Sequence, residues 1–203
     1  SLDVPVFEEK DETFGTYVYK TKSRKFIVIG SFSTLSSEFR IISADNPFGD
    51  WKLIQPREDN LEYSLEHFGD HFYIQTNKDN ATNFKLMKTP INKTTKENWV
   101  DVIPHREDTL LEDISIFKEY LILEERSNGL SKIRIKRWDG KEDYYLPFDE
   151  ETYSAGVYSN PEFDTEIIRF SYNSLTTPNS VIDFNMRDRS KEIKKEQEIL
   201  GGK

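Results

Sequence analysis

The chain has 203 residues, 35% apolar and 13% aromatic, which is enough for a packed core and argues against wholesale disorder. A formal net charge of −9 disfavours nucleic acid and anionic membrane surfaces as partners, since both are bound chiefly through Lys and Arg. With no cysteine, a disulfide framework, a thiol nucleophile and a cysteine-ligated metal are all excluded; the composition fits a cytoplasmic compartment and is compatible with a periplasmic one.

The apolar runs are a few residues long, far short of the ~20 that a spanning helix needs, and no basic start followed by an apolar stretch marks a secretory leader. The beginning at Ser1, without a Met, reads as a cut from a longer chain. From residue 15 onward the pattern is short aromatic and β-branched segments broken by turn residues. The first four are GTYVYKT (15–21), KFIVIGSF (25–32), EFRIIS (38–43) and WKLIQP (51–56). Next come EYSLEHF (62–68), DHFYIQT (70–76), NFKLMKT (83–89) and NWVDVIP (98–104), separated at Gly69-Asp70, Asn77 to Asn83 and Asn92 to Asn98. The third group is LEDISIF (111–117), EYLILEER (119–126), SKIRIKRW (131–138) and EDYYLPF (142–148), with breaks at Lys118-Glu119, Ser127-Asn128-Gly129 and Asp139-Gly140. In it Ile133 and Ile135 point one way and Lys132, Arg134 and Lys136 the other. The fourth is SAGVYSN (154–160), TEIIRFSY (165–172), SVIDFNM (180–186) and KEIKKEQEIL (191–200). That last segment, rich in Glu and Lys, could also form a helix.

A charged phrase opens each group: KDETF at 10, REDNL at 57, REDTL at 106 and DEETY at 149. Recurrence at 40–50 residues with four strands per repeat points to an all-β fold, a partial β-propeller of about four blades, each a four-stranded antiparallel sheet. A β-sandwich would not carry a charged marker every fourth strand. The blades are expected at about 10–56, 57–104, 106–148 and 149–200, with the phrase connecting the last strand of one to the first of the next. Its fifth residue (Phe14, Leu61, Leu110, Tyr153) is expected to anchor the inner strand, and its fourth (Thr13, Asn60, Thr109, Thr152) to hydrogen-bond local backbone and fix the turn. Its third is always acidic: Glu12, Asp59, Asp108 and Glu151. These four should lie on one face of the disc, where an arc of carboxylates could steer cationic peptides. The plainer alternative is that they only form turns and keep the surface charged.

Catalytic motifs are missing. There is no G-x-S-x-G elbow, no phosphate-cradling G-x-x-x-x-G-K-[ST] and no G-x-G-x-x-G. His67 and His71 have a spacing that suits a metal only on a helix, and a turn separates them; His105 reads as a turn residue. Carboxylate pairs such as Glu124-Glu125 and Glu150-Glu151 are merely adjacent in sequence. No catalytic residue, metal site or cofactor is expected.

The stretch YSNPEFDTEIIRFSYNSLTTPNSVIDFNM (158–186) resembles the last propeller blade of the prolyl oligopeptidase family, in its oligopeptidase B (protease II) branch. The resemblance rests on Asn160-Pro161-Glu162-Phe163-Asp164-Thr165, Arg169-Phe170 and Ser174-Leu175-Thr176-Thr177-Pro178. It is extended by SSEFRIISADNP (36–47), IPHREDTLLED (103–113), ERSNGLSKIRI (125–135) and KEQEILGG (195–202). It implies a fragment of a propeller paired in the parent with an α/β-hydrolase domain carrying a Ser-Asp-His triad, none of whose residues matches here. The propeller would restrict that domain to short peptides, and the branch cleaves after Arg and Lys. Implied partners are the missing peptidase domain, the remaining blades and short basic peptides. Exposed flanks of a severed propeller should also make the fragment self-associate. A stand-alone propeller scaffold binding protein partners is the rival reading. A carbohydrate-active propeller enzyme is a third and needs convergent carboxylates.

Overall fold

The computed structural model describes residues 5–201. Its sixteen strands form four separate four-stranded sheets, each an antiparallel meander in chain order. The first sheet holds β1 (Gly15–Lys20), β2 (Phe26–Phe32), β3 (Ser37–Ser43) and β4 (Lys52–Leu53). The second holds β5 (Tyr63–Phe68), β6 (His71–Thr76), β7 (Lys85–Pro90) and β8 (Val100–Ile103). The third holds β9 (Leu110–Ile116), β10 (Tyr120–Ser127), β11 (Leu130–Arg137) and β12 (Asp143–Tyr145). The fourth holds β13 (Tyr153–Val157), β14 (Ile167–Ser174), β15 (Ser180–Asn185) and β16 (Lys191–Glu196). Helix is confined among the described residues to two single 3₁₀ turns, Lys78–Asn80 and Lys96–Asn98. None is long and apolar enough to cross a membrane.

The chain divides into two compact units, residues 1–81 with 85–104, and residues 82–84 with 105–203. In the first, blades 1 and 2 are sealed by one core. Val28, Phe39 and Ile41 of blade 1 meet Tyr63, Leu65, Phe72, Ile74 and Met87 of blade 2, with Trp99 behind them. Strand alternation explains the set: in β2 and β3 the residues that face blade 2 are two apart, and their neighbours face away. Tyr19 extends the seal by donating its hydroxyl to the Leu65 carbonyl at 2.5 Å. Gly30, in β2, is the one residue that fits its site, because a Cβ there would come within 2.7 Å of the Tyr17 ring and 2.9 Å of the Phe39 ring.

In the second unit blades 3 and 4 share a core of Phe117, Tyr120, Ile122, Ile133 and Ile135 against Ala155, Ile168, Phe170, Tyr172 and Phe184. Each fully buried Phe or Ile contributes roughly 1.5–3 kcal/mol by leaving water. β10 and β11 are joined by a two-residue turn, Asn128-Gly129, with φ of 52° and 78°, the positive values that a tight hairpin requires. β9 and β10 pair in register up to Glu124–Asp113 and then shift at a bulge.

Residues 191–196 are a strand, paired with β15. A solitary ten-residue helix is marginal in water, whereas β15 offers a free edge. The hairpin is set by Arg189 at φ 64° and by Asp188, whose Oδ1 accepts from the Ser190 amide at 2.9 Å. The flank of blade 4 turned away from blade 3 is polar. It presents Ser171, Asn173, the paired Arg169 and Asp183 (2.6 Å), and an open groove of about 700 Å³ bordered by Tyr158, Lys195 and Gln197.

Candidate functional site

The four charged phrases supply the candidate residues, and the structure places three of them between consecutive blades or sheets: 57–61 between β4 and β5, 106–110 between β8 and β9, and 149–153 between β12 and β13. Residues 10–14 lead into β1. In the first unit Asp11 starts the turn, its Oδ1 accepting from the Thr13 amide at 3.0 Å and the Thr13 hydroxyl at 2.6 Å, and these bonds lower its pKa. The ring of Phe14 then lies 3.9 Å beneath the Arg57 guanidinium.

Arg57 is the hub of this end of the unit. It donates to Glu9 at 2.6 Å and to Glu38 at 3.3 Å, while its own backbone amide donates to Glu38 at 3.0 Å. Hydrogen bonding to Arg57 holds the Glu9 carboxyl down at about 2. Glu58 accepts from Gln55 at 2.8 Å and pairs with Lys96. The phrase is also tied to the turns beside it. Ser36 Oγ donates to the Glu58 carbonyl at 2.9 Å, and Asn77 Nδ2 donates to the Asn60 carbonyl at 3.1 Å, with Asn60 at φ 62°. Leu61 is 7% exposed in the core.

The second unit repeats the device with other atoms. Asn83 Nδ2 donates to the carbonyls of Arg106 (3.0 Å) and Glu107 (2.8 Å). Arg106 pairs with Glu125, a carboxylate with no exposed side-chain surface, and donates to Tyr145 Oη at 3.3 Å; Tyr145 in turn donates to Glu125 at 2.6 Å. At 149–153 the organiser is Glu150. It accepts from Tyr172 (2.5 Å), Ser174 (2.6 Å), Thr177 (3.1 Å) and Thr176, so the β14–β15 turn is clasped to the phrase. Bonds from Ser174, Thr176 and Tyr172 hold its carboxyl at about 2. Leu175 stands at the tip of that turn, 93% exposed.

The predicted steering residues Glu12, Asp59, Asp108 and Glu151 are all exposed in these connections. Asp108 accepts from Thr109 Oγ1 at 3.1 Å. The fourth-position threonines Thr13 and Thr109 therefore bond carboxylates rather than carbonyls. The residues that organise the phrase are its first and second, Arg57, Arg106, Glu58 and Glu150. Their signal was present, since Arg-Glu opens two of the four copies.

The histidines serve the scaffold. His67, in β5, is 4% exposed, walled by the rings of Phe26 and Phe72, with Ser23 Oγ 2.8 Å from its Nδ1. A serine beside a histidine is a nucleophile–base spacing, but here the histidine ring is packed in the blade 1–blade 2 core. Burial lowers its pKa, which favours the neutral ring. His71 pairs with the adjacent turn residue Asp70 at 2.5 Å, and His105 Nε2 accepts from the Asn83 amide at 3.3 Å. Among the described residues no group of three metal-ligating side chains is assembled.

The model of the prolyl oligopeptidase N-terminal β-propeller domain matches residues 1–197. The chain belongs to that family. It is 37% identical over 201 residues to dipeptidyl aminopeptidase BI of Pseudoxanthomonas mexicana, covering 99% of this chain and 28% of the relative. Protease 2 of Moraxella lacunata is 34% identical over 94% of the chain and 27% of its own length. Among solved structures, oligopeptidase B of Trypanosoma brucei superposes with a TM-score of 0.89 at 25% identity, over 97% of this chain and 29% of that one. Oligopeptidase B of Leishmania major gives 0.87 at 26%, with the same coverage. The chain thus spans less than a third of the length of the relatives it matches.

Proposed function

We propose that this chain is the propeller portion of a serine oligopeptidase of the oligopeptidase B kind, which gates peptide access to a separate α/β-hydrolase domain and does no chemistry itself. The observation that carries this reading is the coverage: a relative named as a peptidase aligns with 99% of the chain through only 28% of its own length. In the parent, the four exposed carboxylates Glu12, Asp59, Asp108 and Glu151 converge at a mouth of the axial channel. There they attract short peptides bearing Arg or Lys, and the whole acts in the cytoplasm.

The test is kinetic and uses the full-length parent. Glu12→Gln, Asp59→Asn, Asp108→Asn and Glu151→Gln combined should lower kcat/KM for Arg and Lys peptides several-fold at low salt. The difference should shrink as the Debye length falls below about 8 Å above physiological salt. An unchanged kcat/KM at every salt concentration removes the steering role. A parent that digests long denatured chains as readily as short peptides removes the gate.

The chain on its own is expected to self-associate. Tyr17 (43% exposed) and Phe32 (48%) meet edge to face with ring centroids 5.6 Å apart on one face of blade 1, and exposed apolar surface of this kind favours association. Light scattering should show a mass above 23.9 kDa that rises with concentration; a monomer throughout the millimolar range contradicts it.

A further inference from the structure

The seam between blades 3 and 4 is mostly apolar, with Tyr144 Oη donating to the Met186 carbonyl at 2.9 Å and one carboxyl turned into it. Glu124, half-buried on β10, turns its side chain toward blade 4, on the same face as Tyr120 and Ile122. Its Oε2 accepts from the Val157 amide at 2.9 Å. That amide belongs to the free edge of β13. The next residue, Tyr158, bonds back to the Arg169 carbonyl at 3.0 Å, so Val157 N–H points away from β14. Glu124 therefore supplies the partner that the strand's open edge lacks.

The same carboxyl stands directly opposite Asp113 in the β9–β10 register, the last matched pair before the bulge. Directly opposed like charges repel, and a half-buried carboxyl beside a second one resists ionisation. The groups that face Glu124 are few. β9 contributes Asp113, together with Glu112, whose charge is met by Arg126 at 2.6 Å. β11 presents the apolar Ile133 opposite, and β13 presents the Val157 amide.

We propose that the Glu124–Val157 contact is a proton-operated latch between the two blades, closed while the Glu124–Asp113 pair holds a proton and loosened when it is lost. Ionisation strengthens the single hydrogen bond. It also strips water from a charge and sets it against Asp113, and the second effect dominates: burial pushes the Glu124 carboxyl up to about 7, with the charges of Asp113 and Glu112 acting in the same direction. A carboxyl raised in the folded state stabilises the fold most at and below its ordinary 4.5 and loses that contribution as pH climbs through 7. The latch thus releases within the physiological range.

The Val157 amide reports this directly by heteronuclear NMR on the whole chain between pH 5 and 9. Its shift should titrate with a midpoint near 7, and hydrogen exchange along β13, corrected for intrinsic rates, should quicken above that midpoint. Glu124→Gln should abolish the titration and leave β13 protected at pH 8. Asp113→Asn should bring the midpoint down by about a unit or more, and serves equally if the Glu124 variant does not fold. A Val157 midpoint in the ordinary carboxylate range, a titration that persists in Glu124→Gln, or a midpoint unmoved by Asp113→Asn would each overturn the latch.

Discussion

Arg106→Met should destabilise the second unit by about 3 kcal/mol, the scale at which a buried ion pair loses one partner. The reason lies with the residue left behind. Glu125 has no exposed side-chain surface, and without Arg106 its carboxylate keeps only Tyr145 at 2.6 Å and Arg134 at 3.7 Å. Lys118 and Asp164, by contrast, pair at 2.7 Å with side chains 53% and 72% exposed, so Lys118→Met should change stability by less than about 0.5 kcal/mol. Urea denaturation of the full chain, with hydrogen exchange locating the loss to β9–β12, measures both. The double variant Arg106→Met/Glu125→Gln should cost less than the sum of its singles, because the uncompensated charge is gone. If Arg106→Met behaves like Lys118→Met, the phrase is a surface decoration and not a clasp.

Much of the architecture could be read from local pattern because a propeller blade is a local object. Ile133 and Ile135 alternate with Lys132, Arg134 and Lys136, and the first two sit at 1% and 0% exposure in the seam to blade 4. The strand edges were less legible. WKLIQP reads as six residues of strand, yet only Lys52–Leu53 pair. Ile54 and Gln55 are drawn into the inter-blade core, where Ile54 is fully buried and the Gln55 carbonyl accepts from Tyr63 at 2.7 Å. The segment 191–200 balanced two propensities, and a tertiary edge decided between them. At the candidate site the repeated acidic third residue of each phrase was legible, but the contacts that order the phrase were not. The organising contacts run from Arg57 to Glu9 and Glu38, and from Glu150 to the 172–177 turn. Those separations of 19 to 48 residues carry no periodic signal.

Phe72→Ala should cost the first unit about 3–5 kcal/mol and should also change the titration of a histidine. Phe72 is fully buried at the centre of the blade 1–blade 2 core, 5.0 Å from the ring of Phe26 and 5.5 Å from that of His67. Truncation removes a ring from a site with no room to collapse, since Phe26, Ile74 and Val28 are each held by their own strand registers. The histidine gives a second, independent reading. In the intact unit burial depresses the His67 pKa below 6.5, so the neutral form is favoured; its contribution to stability is complete above 6.5 and is lost as pH falls through the depressed folded value. The native unit should therefore weaken on acidification in a way that His67→Phe does not, apart from the lost bond to Ser23. Opening a cavity at position 72 admits solvent to the imidazole, which moves its pKa back up toward 6.5. NMR titration of the His67 ring in both proteins separates the two effects. A large stability loss with an unmoved pKa would mean that the gap closes dry, by blade 1 sliding onto blade 2; a raised pKa with little loss would mean that the seam was never tightly packed.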